Sequence, residues 1–300
     1  MDIGADRLDQ QGSQRGATER GSRCALWGVL NVTPDSFSDG GRFLDHEAAI
    51  ARGRAMVAAG ADVVDVGGES TRPRGKDYGA GAEAVGAGEE ADRVLPVVEA
   101  LSRAGVAVSI DTRKGAVARQ ALAAGARIVN DVSGGADQEL LAVCAKEAAE
   151  LVLMHNRGRG EVEAPFTEYQ DVMKEVAAEL EERVARAEAA GVARERLWLD
   201  PGLGFAKTAA QSGALLARLP ELVALGHPVL VGASRKSFLA RLSRRPDGSL
   251  ASPQEREAGS AVAVAVAVSK GAAAVRVHDV NAAWQAARFA EALAATEGAG

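Results

Sequence analysis

One pattern of apolar and polar positions recurs along the chain. A short run rich in Val, Ile and Leu ends in a polar or glycine-containing turn, and a longer Ala/Leu/Glu/Arg segment with helical spacing follows. The predicted strands cover residues 25–32, 63–66, 107–110, 128–132, 151–154, 197–199, 228–231 and 274–277. The predicted helices cover residues 46–59, 89–104, 116–124, 138–149, 169–190, 209–224, 255–270 and 282–295.

Eight strands that alternate with eight helices predict parallel βα units. A doubly wound open sheet has the same local pattern, but the strand count favours a barrel. The polar motifs favour it too, because they follow nearly every strand and all eight strand ends of a barrel meet at one mouth. We therefore expect an α/β fold, a single-domain (β/α)₈ TIM barrel over residues 23–297, preceded by a disordered tail at 1–22.

Composition excludes several function classes. The 300 residues carry a formal net charge of −6, which disfavours general binding to nucleic acid or to a membrane surface. The longest apolar run, residues 261–268, is too short to span a bilayer. Residues 1–22 lack the apolar stretch of a secretory signal, and Cys24 and Cys144 are read as reduced, buried thiols, so we expect a cytoplasmic protein.

Four polar residues at the strand ends carry the candidate chemistry. Asp111, Asn130, Asp200 and Lys236 each lie at the end of a predicted strand or in the turn that follows it. Each alone fits a helix N-cap, and for Asp131 and Ser234 that reading stays a serious competitor. Together, two carboxylates, an amide and an ammonium would share one barrel mouth, and a ligand with N–H donors and carbonyl acceptors would compensate their burial.

A second group of residues suggests an anion site. Arg276 and His278 alternate with apolar residues, which places both on one face of the last strand, and burying this arginine requires an anion. Phosphate sites beside the last two strands recur in barrels. Glycines 67 and 68, followed by hydroxyl side chains and Arg72, form a plausible anion cradle, although a flexible turn with a solvated arginine explains them as well.

The polar loop at 31–41 suits a mobile lid or an ordinary turn. His155 also points to the mouth but carries less weight, since a lone histidine is more often structural.

These segments resemble dihydropteroate synthases, which belong to the pterin-binding TIM-barrel family. The matching motifs, in the family's order, are GVLNVTPDSFSDGG (28–41), DVGGESTRP (65–73), SIDT (109–112), VNDVSGG (129–135), LMH (153–155), LDPGLGFAK (199–207), VGASRKSF (231–238) and VRVHDV (275–280). The resemblance extends from the mid-twenties to the last helix and departs from the family at residues 74–88, where the second loop is longer.

The resemblance implies an enzyme, a transferase of folate biosynthesis. The amine of p-aminobenzoate displaces pyrophosphate from 6-hydroxymethyl-7,8-dihydropterin pyrophosphate and gives 7,8-dihydropteroate. It further implies Mg²⁺ as cofactor, a homodimer formed through outer helices, and sensitivity to sulfonamides, which mimic p-aminobenzoate.

The family also implies a role for each matching residue. The catalytic residues would be Asp35, Asp111 and Lys236. The pterin would be held by Asp111, Asn130, Met154, Asp200, Phe205, Gly232 and Lys236. Pyrophosphate would be bound by Asn31, Arg72, Arg276 and His278, with Asn31 as a ligand of Mg²⁺. The p-aminobenzoate pocket would be bordered by Pro34, Phe37, Thr71, Phe205, Lys236 and Ser237.

The implied chemistry needs no strong base, because an aniline-type amine is neutral at pH 7. Pyrophosphate is thought to leave first, and Asp111 lies well placed to stabilise the resulting pterin methylene cation. We expect neither a catalytic triad nor a covalent enzyme intermediate.

Three other functions compete with this interpretation. A pterin-binding methyltransferase would share the pterin residues but would not need the anion set. An aldolase-type lyase would use Lys236 as a Schiff-base former. A non-catalytic homologue would bind the pterin without turnover.

Overall fold

A computed structural model describes residues 23–33, 41–69, 85–158, 162 and 164–297, with no description of the side chains of 41–45 and 297. Eight parallel strands form one sheet in the order β6-β5-β4-β3-β2-β1-β8-β7. They are β1 (Ala25–Asn31), β2 (Val63–Gly67), β3 (Val108–Asp111), β4 (Ile128–Asp131), β5 (Glu150–Met154), β6 (Leu197–Asp200), β7 (Leu230–Val231) and β8 (Ala274–Val277). A bridge between Leu199 and Val229 joins β6 to the segment leading into β7, so the sheet closes. The predicted TIM barrel is confirmed, while the tail at 1–22 lies outside the described residues.

Helices lie between the strands. They are α1 (Gly41–Ala58), α2 (Ala87–Arg103), α3 (Gly115–Ala123), α4 (Gln138–Lys146), α5 (Val172–Ala189), α6 (Ala209–Ala217), α7 (Leu219–Val223), α8 (Ser237–Leu242), α9 (Glu257–Ser269) and α10 (Val280–Glu297). Side-chain caps fix several starts: Asp137 begins α4, Asp171 begins α5, and Thr208 with Gln211 forms a capping box at α6.

The sequence-based boundaries differ from the structure in three places. The helix predicted at 209–224 is two helices, because Pro220 lacks the N–H that would continue α6 and instead sits in the first turn of α7. The six-residue α8 has no predicted counterpart, since it is too short to show helical periodicity. The seventh strand was expected from residue 228 and contains only two residues.

Alternation along the strands divides the barrel into an outer and an inner core. Outward side chains such as Leu30, Val64 and Ile110 pack with the helices into a large apolar cluster. Inward side chains near the amino ends of the strands form a second apolar cluster inside the barrel. Its buried members are Ala25, Trp27, Val63, Ile128, Val152, Trp198, Leu230 and Ala274. The inward positions nearer the carboxyl ends therefore face the mouth.

Two expectations drawn from composition can be compared with the fold. Cys24 and Cys144 are both free and buried, and burial raises the pKa of each thiol to about 12. Within the described parts of the chain, none of the helices has the length and apolar character needed to cross a bilayer.

Candidate active site

The strand register aligns polar residues around the mouth. Asn31 pairs with Gly67, Gly67 with Asp111, and Asp111 with Asn130, so these four positions form one row across β1 to β4. Residues in such a row project to the same face of the sheet. Each of these strands therefore delivers its last inward position to the barrel mouth.

A buried ion cluster lies directly beneath this row. Arg276 Nε donates to Asp65 Oδ2 at 2.5 Å, and Arg276 NH2 donates to Asp111 Oδ2 at 2.6 Å. Asn130 Nδ2 donates to the same Asp65 oxygen at 3.0 Å. Asp65 and Asp111 are both buried, so a single guanidinium pairs with two carboxylates taken out of water and its one charge balances only one of theirs.

This cluster supplies the anion that burial of Arg276 was expected to require. In the structure that role is taken by the carboxylates of Asp65 and Asp111, and binding of a phosphate by Arg276 stays a prediction. The sequence-based list of site residues also omitted Asp65. The signal for it was present, since a carboxylate at the middle of a short apolar strand has to be paired.

The cluster retains capacity for hydrogen bonds. Oδ1 of Asp65 and Oδ1 of Asp111 are buried and accept no hydrogen bond from any described residue. Burial raises the pKa of Asp111 to about 7; Arg276 opposes this shift, and the nearby carboxylates Asp65, Glu90 and Asp131 add to it. Buried acceptors without donors indicate a ligand that carries N–H groups or positive charge.

Across the mouth, a second group converges on Gly232. A β-carbon added there would lie 3.8 Å from Lys236 Nζ, 3.9 Å from Arg276 Cβ and 4.0 Å from Asp200 Oδ2. Asp200 Oδ1 accepts from the backbone N–H of Gly202 at 2.7 Å, and burial raises the pKa of this carboxyl group. The glycine therefore leaves open a space bounded by a carboxylate and an ammonium.

Lys236 contacts two parts of the loop that follows β6. Its Nζ donates to the carbonyl oxygen of Leu203 at 2.5 Å and lies 4.7 Å from the centre of the Phe205 ring. Burial lowers the pKa of Lys236 to about 8, and the neighbouring carboxylate of Asp200 limits the shift. Lys236, Asp200 and Phe205 thus form one face of the mouth.

His278 lies at the end of β8. Its Nδ1 is 3.0 Å from Ser234 Oγ, which also accepts from the His278 backbone N–H at 3.2 Å. Burial lowers the pKa of His278 to about 3, and the positive charge of Arg276 is the second largest cause of this shift. The ring is therefore neutral at pH 7. Ser234 does not cap a helix here, whereas Asp131 accepts from the N–H groups of Ser133 and Gly135 and stabilises its own turn.

The remaining predicted residues fall into two groups. Met154 is buried and pairs in register with Asp200, while Ser237 begins α8 directly after Lys236 and is also buried. The following predicted residues lie outside the described parts of the chain: Pro34, Asp35, Phe37, Thr71 and Arg72.

The fit of Mg²⁺ can be judged from the residues at hand. Among the described residues, no group of three or more His, Cys, Asp or Glu side chains could hold a metal ion. Mg²⁺ does not need such a group, because it is commonly held by one or two protein oxygens together with substrate phosphates and water. Asn31 ends β1 with an exposed side chain at the mouth, and its amide oxygen fits that requirement.

His155 does not reach the mouth. It is buried, its Nε2 lies 3.0 Å from Glu179 Oε2, and its Nδ1 lies 2.8 Å from Nζ of Lys207. The lower weight given to His155 agrees with this placement. Lys207 received no role in the sequence analysis, because nothing in the sequence distinguishes a lysine buried under a loop from one at the surface.

A separate cavity of about 820 Å³ opens at the other end of the barrel. Its lining includes Cys24, Trp198, His227, Val229 and Glu291, which lie near the amino ends of the strands and on α10. Although it is large, it contains none of the site residues described above. The mouth is therefore the candidate site because the polar residues gather there, although the cavity of about 820 Å³ lies at the other end.

Comparison with known proteins agrees with the geometry. The sequence model of a family described as "Pterin binding enzyme" matches residues 27–278. A dihydropteroate synthase from Mycobacterium leprae is 52% identical over 259 residues, which are 85% of this chain and 88% of that protein.

Two solved structures of a dihydropteroate synthase from Xanthomonas albilineans are also similar. The one with 4-aminobenzoic acid has a TM-score of 0.82 and 43% identity, covering 91% of this chain and 94% of its own. The one in complex with 7,8-dihydropteroate has a TM-score of 0.78 and 40% identity, with the same coverage. Because the family model matches most of the chain and these relatives are similar over most of their length, the chain belongs to the dihydropteroate synthase family of pterin binding enzymes.

Proposed function

We propose that the enzyme joins 6-hydroxymethyl-7,8-dihydropterin pyrophosphate to p-aminobenzoate, forming 7,8-dihydropteroate and releasing pyrophosphate. One observation supports this most strongly. Asp65, Asp111, Asn130, Asp200, Lys236 and Arg276 come from six different strands or strand-end loops and meet at one barrel mouth. This set matches the donors and acceptors of a pterin ring.

The pterin ring is proposed to bind between the two clusters. Its pyrimidine edge carries adjacent N–H donors, which suit the Asp200 carboxylate and the Asp111 oxygen that has no donor among the described residues. Asn130 donates through its amide nitrogen to Asp65, so its amide oxygen remains for the ligand. Gly232 leaves space for the flat ring, and Met154 forms an apolar contact.

Bond cleavage leaves positive charge on the pterin methylene carbon. The carboxylate of Asp111 is proposed to stabilise this charge, and a cation beside it favours the ionised form of a group whose pKa burial raises to about 7. The bond from that carbon to the pyrophosphate oxygen breaks, and the bond to the amine nitrogen forms. The amine proton passes to solvent or to the leaving group, so no protein base is required.

The leaving group is proposed to bind near β1 and β8. Arg276 and His278 lie at the end of β8, and Arg276 carries the positive charge. Asn31 is proposed to hold Mg²⁺ together with the pyrophosphate oxygens. When bound, Mg²⁺ would neutralise the charge that builds on the leaving group.

The p-aminobenzoate pocket is proposed to lie beside Lys236, Phe205 and Ser237. An ammonium over an aromatic ring provides both a partner for a carboxylate and an apolar wall. Sulfonamides that resemble p-aminobenzoate should compete for the same pocket. The loops that contain Pro34, Phe37, Thr71 and Arg72 are proposed to complete it.

The test is a coupled assay of pyrophosphate release with both substrates, run with and without p-aminobenzoate and with and without Mg²⁺. Release that depends on the amine and on Mg²⁺ supports the proposal. Absence of pyrophosphate release when both substrates are present would instead favour a pterin-binding methyltransferase or a non-catalytic homologue. Borohydride trapping of substrate on Lys236 would identify a Schiff-base lyase, and we expect no such adduct.

We further propose a cytoplasmic homodimer formed through outer helices. Large apolar side chains project from α9 and α10: Val262, Phe289 and Leu293 are 64%, 65% and 49% exposed. Such a patch on neighbouring helices suits a protein interface. Replacement of Phe289 by Ser should lower the mass measured by light scattering from that of two chains to that of one, and an unchanged mass would place the interface elsewhere.

A further inference from the structure

We propose that Lys207 is a positioning residue that holds the β6 loop, residues 201–207, in the conformation required by the active site. This inference rests on the proposed function. Lys207 is only 1% exposed and lies beneath the loop, on the side away from the mouth. Among the described residues proposed to bind pyrophosphate, which are Asn31, Arg276 and His278, it hydrogen-bonds to none.

The amino group of Lys207 has three close acceptors. Its Nζ lies 2.8 Å from His155 Nδ1, 2.9 Å from the carbonyl oxygen of Phe205 and 3.2 Å from that of Gly202. Three acceptors match the three N–H donors of an ammonium. Burial lowers the pKa of Lys207 well below its usual value, the nearby carboxylate of Asp200 opposes this shift, and the three acceptors favour the protonated amino group. The buried amino group fixes the direction of both carbonyls, because moving either one leaves an N–H donor without an acceptor.

The loop needs this support because its backbone is unusual. Gly202, Gly204 and Ala206 have φ angles of +62°, +79° and +47°, so every second residue is left-handed. For Ala206 this conformation is strained, since it has a β-carbon. Besides Lys207, the hydroxyl of Tyr169 donates to Ala206 O at 3.0 Å, and Gly204 N–H donates to Ser212 Oγ at 3.1 Å.

The same loop carries several contacts of the proposed site. Gly202 N–H donates to Asp200 Oδ1, Leu203 O accepts from Lys236, and the Phe205 ring lies under the Lys236 ammonium. Lys207 therefore binds the carbonyls of residues 202 and 205 from beneath, while Lys236 binds that of residue 203 from the site. The amino groups of Lys207 and Lys236, on opposite sides of the loop, therefore fix the position of the Phe205 ring and of the Gly202 N–H that donates to Asp200.

A chain of hydrogen bonds connects Lys207 to a carboxylate nearer the surface. His155 lies between Lys207 and Glu179, and Arg157 pairs with the same Glu179 carboxylate. Burial lowers the pKa of His155 to about 3, and the charge of Lys207 is the second largest cause of this shift. The ring is therefore neutral, and its contacts assign Nδ1 as the acceptor and Nε2 as the donor. Burial acts to raise the pKa of Glu179, but hydrogen bonds from His155 and Arg157 lower it to about 2.

The test compares Lys207→Met with wild type and with Lys174→Met, a matched change at an exposed position of α5. A misplacement of about 1 Å in a site can lower rates on the order of 100-fold. We expect kcat/KM of Lys207→Met to fall roughly 10- to 100-fold, with a clear rise in KM for p-aminobenzoate, and Lys174→Met to match wild type. Unchanged KM values, with only a smaller active fraction, would mean that Lys207 merely stabilises the fold.

Hydrogen exchange supplies a readout that does not depend on the proposed reaction. The amides of residues 202–206 should exchange faster in Lys207→Met, while those of β1 to β4 keep their wild-type rates. If Lys207→Met does not fold, Lys207→Gln retains two donors and should show the same changes to a smaller extent. Equal exchange in wild type and the variant would overturn the proposal. Absence of pyrophosphate release in wild type would instead refute the proposed function and leave the exchange test intact.

Discussion

The two ends of the barrel are built from the same strands but differ in what fills them. At the base, most inward positions are apolar, and Trp27 and Trp198 contact each other with ring centres 5.5 Å apart. At the mouth, inward positions four or fewer residues further along the same strands are Asp65, Asp111 and Arg276. Along the barrel axis the inward side chains change from apolar to charged. The layer at the base therefore stabilises the barrel, and the layer at the mouth forms the proposed active site.

This difference separates stability from function. Apolar burial at the base stabilises the barrel by roughly 25 cal/mol per Å². At the mouth, two carboxylates and a guanidinium are removed from water, and their pairing only offsets the desolvation that results. The unpaired oxygens Asp65 Oδ1 and Asp111 Oδ1 show that the mouth is organised for a ligand and not for maximal stability of the free protein.

The largest effect is expected from removing the guanidinium of Arg276, which pairs with both carboxylates at the mouth. Arg276→Met leaves Asp65 and Asp111 buried without a cation, and we expect the free energy of unfolding at pH 7 to fall by roughly 3–5 kcal/mol. Asp111 already has a pKa of about 7 because of burial, and loss of Arg276 raises it further. Between pH 7 and the higher pKa of the variant, the variant binds a proton that the wild type does not, so the penalty should shrink as the pH falls from the alkaline side towards 7 and stay constant below 7. Urea denaturation at pH 8.5 and 6.0 measures this, and an equal loss at both pH values would argue against it.

A second variant removes a proposed contact with the pterin and leaves Arg276 in place. Asp200→Ala should lower kcat/KM by roughly 10²- to 10³-fold, about 3–4 kcal/mol, because the pterin N–H donors lose their acceptor. Steady-state pyrophosphate release measures the effect, with Asp92→Ala on the exposed face of α2 as the control. Normal turnover in Asp200→Ala would remove this residue from the site.

A third prediction concerns pH. Burial lowers the pKa of Lys236 to about 8, so its ammonium is present below pH 8 and lost above it. We expect kcat/KM to fall by about tenfold per pH unit above this value. Lys236→Arg keeps its charge to higher pH, so the alkaline decline should disappear even if the overall rate is lower. The same decline in the arginine variant would assign it to another group.

The smallest effect is expected at the base. Trp198 Nε1 donates to Glu150 Oε2 at 2.6 Å, and Trp198→Phe removes this hydrogen bond and part of the contact with Trp27. The free energy of unfolding should fall by about 1–2 kcal/mol, while KM for both substrates stays at the wild-type value. A rise in KM would mean that the two layers are coupled.

Much of the fold could be predicted because it depends on local patterns. The alternation of apolar strands with amphipathic helices gave the eight βα units, and the polar strand ends gave the position of the mouth. The departures are local as well: Pro220 divides one predicted helix, and six residues are too few for α8 to show a period.

The site was predictable only as far as its residues lie at strand ends. Asp111, Asn130, Asp200 and Arg276 are found there, and the structure brings them together. Two features depended on three-dimensional pairing that a single sequence does not reveal. The anions that neutralise Arg276 include Asp65, 211 residues away, and Lys207 becomes notable only when its three acceptors are seen around it.

The most direct test is a crystal structure of the protein grown with 7,8-dihydropteroate. We expect the pterin ring at the mouth, with its N–H groups facing Asp111 and Asp200, and the aminobenzoate portion beside Lys236 and Phe205. Ligand density in the cavity beside Trp198 and His227, with the mouth empty, would contradict it.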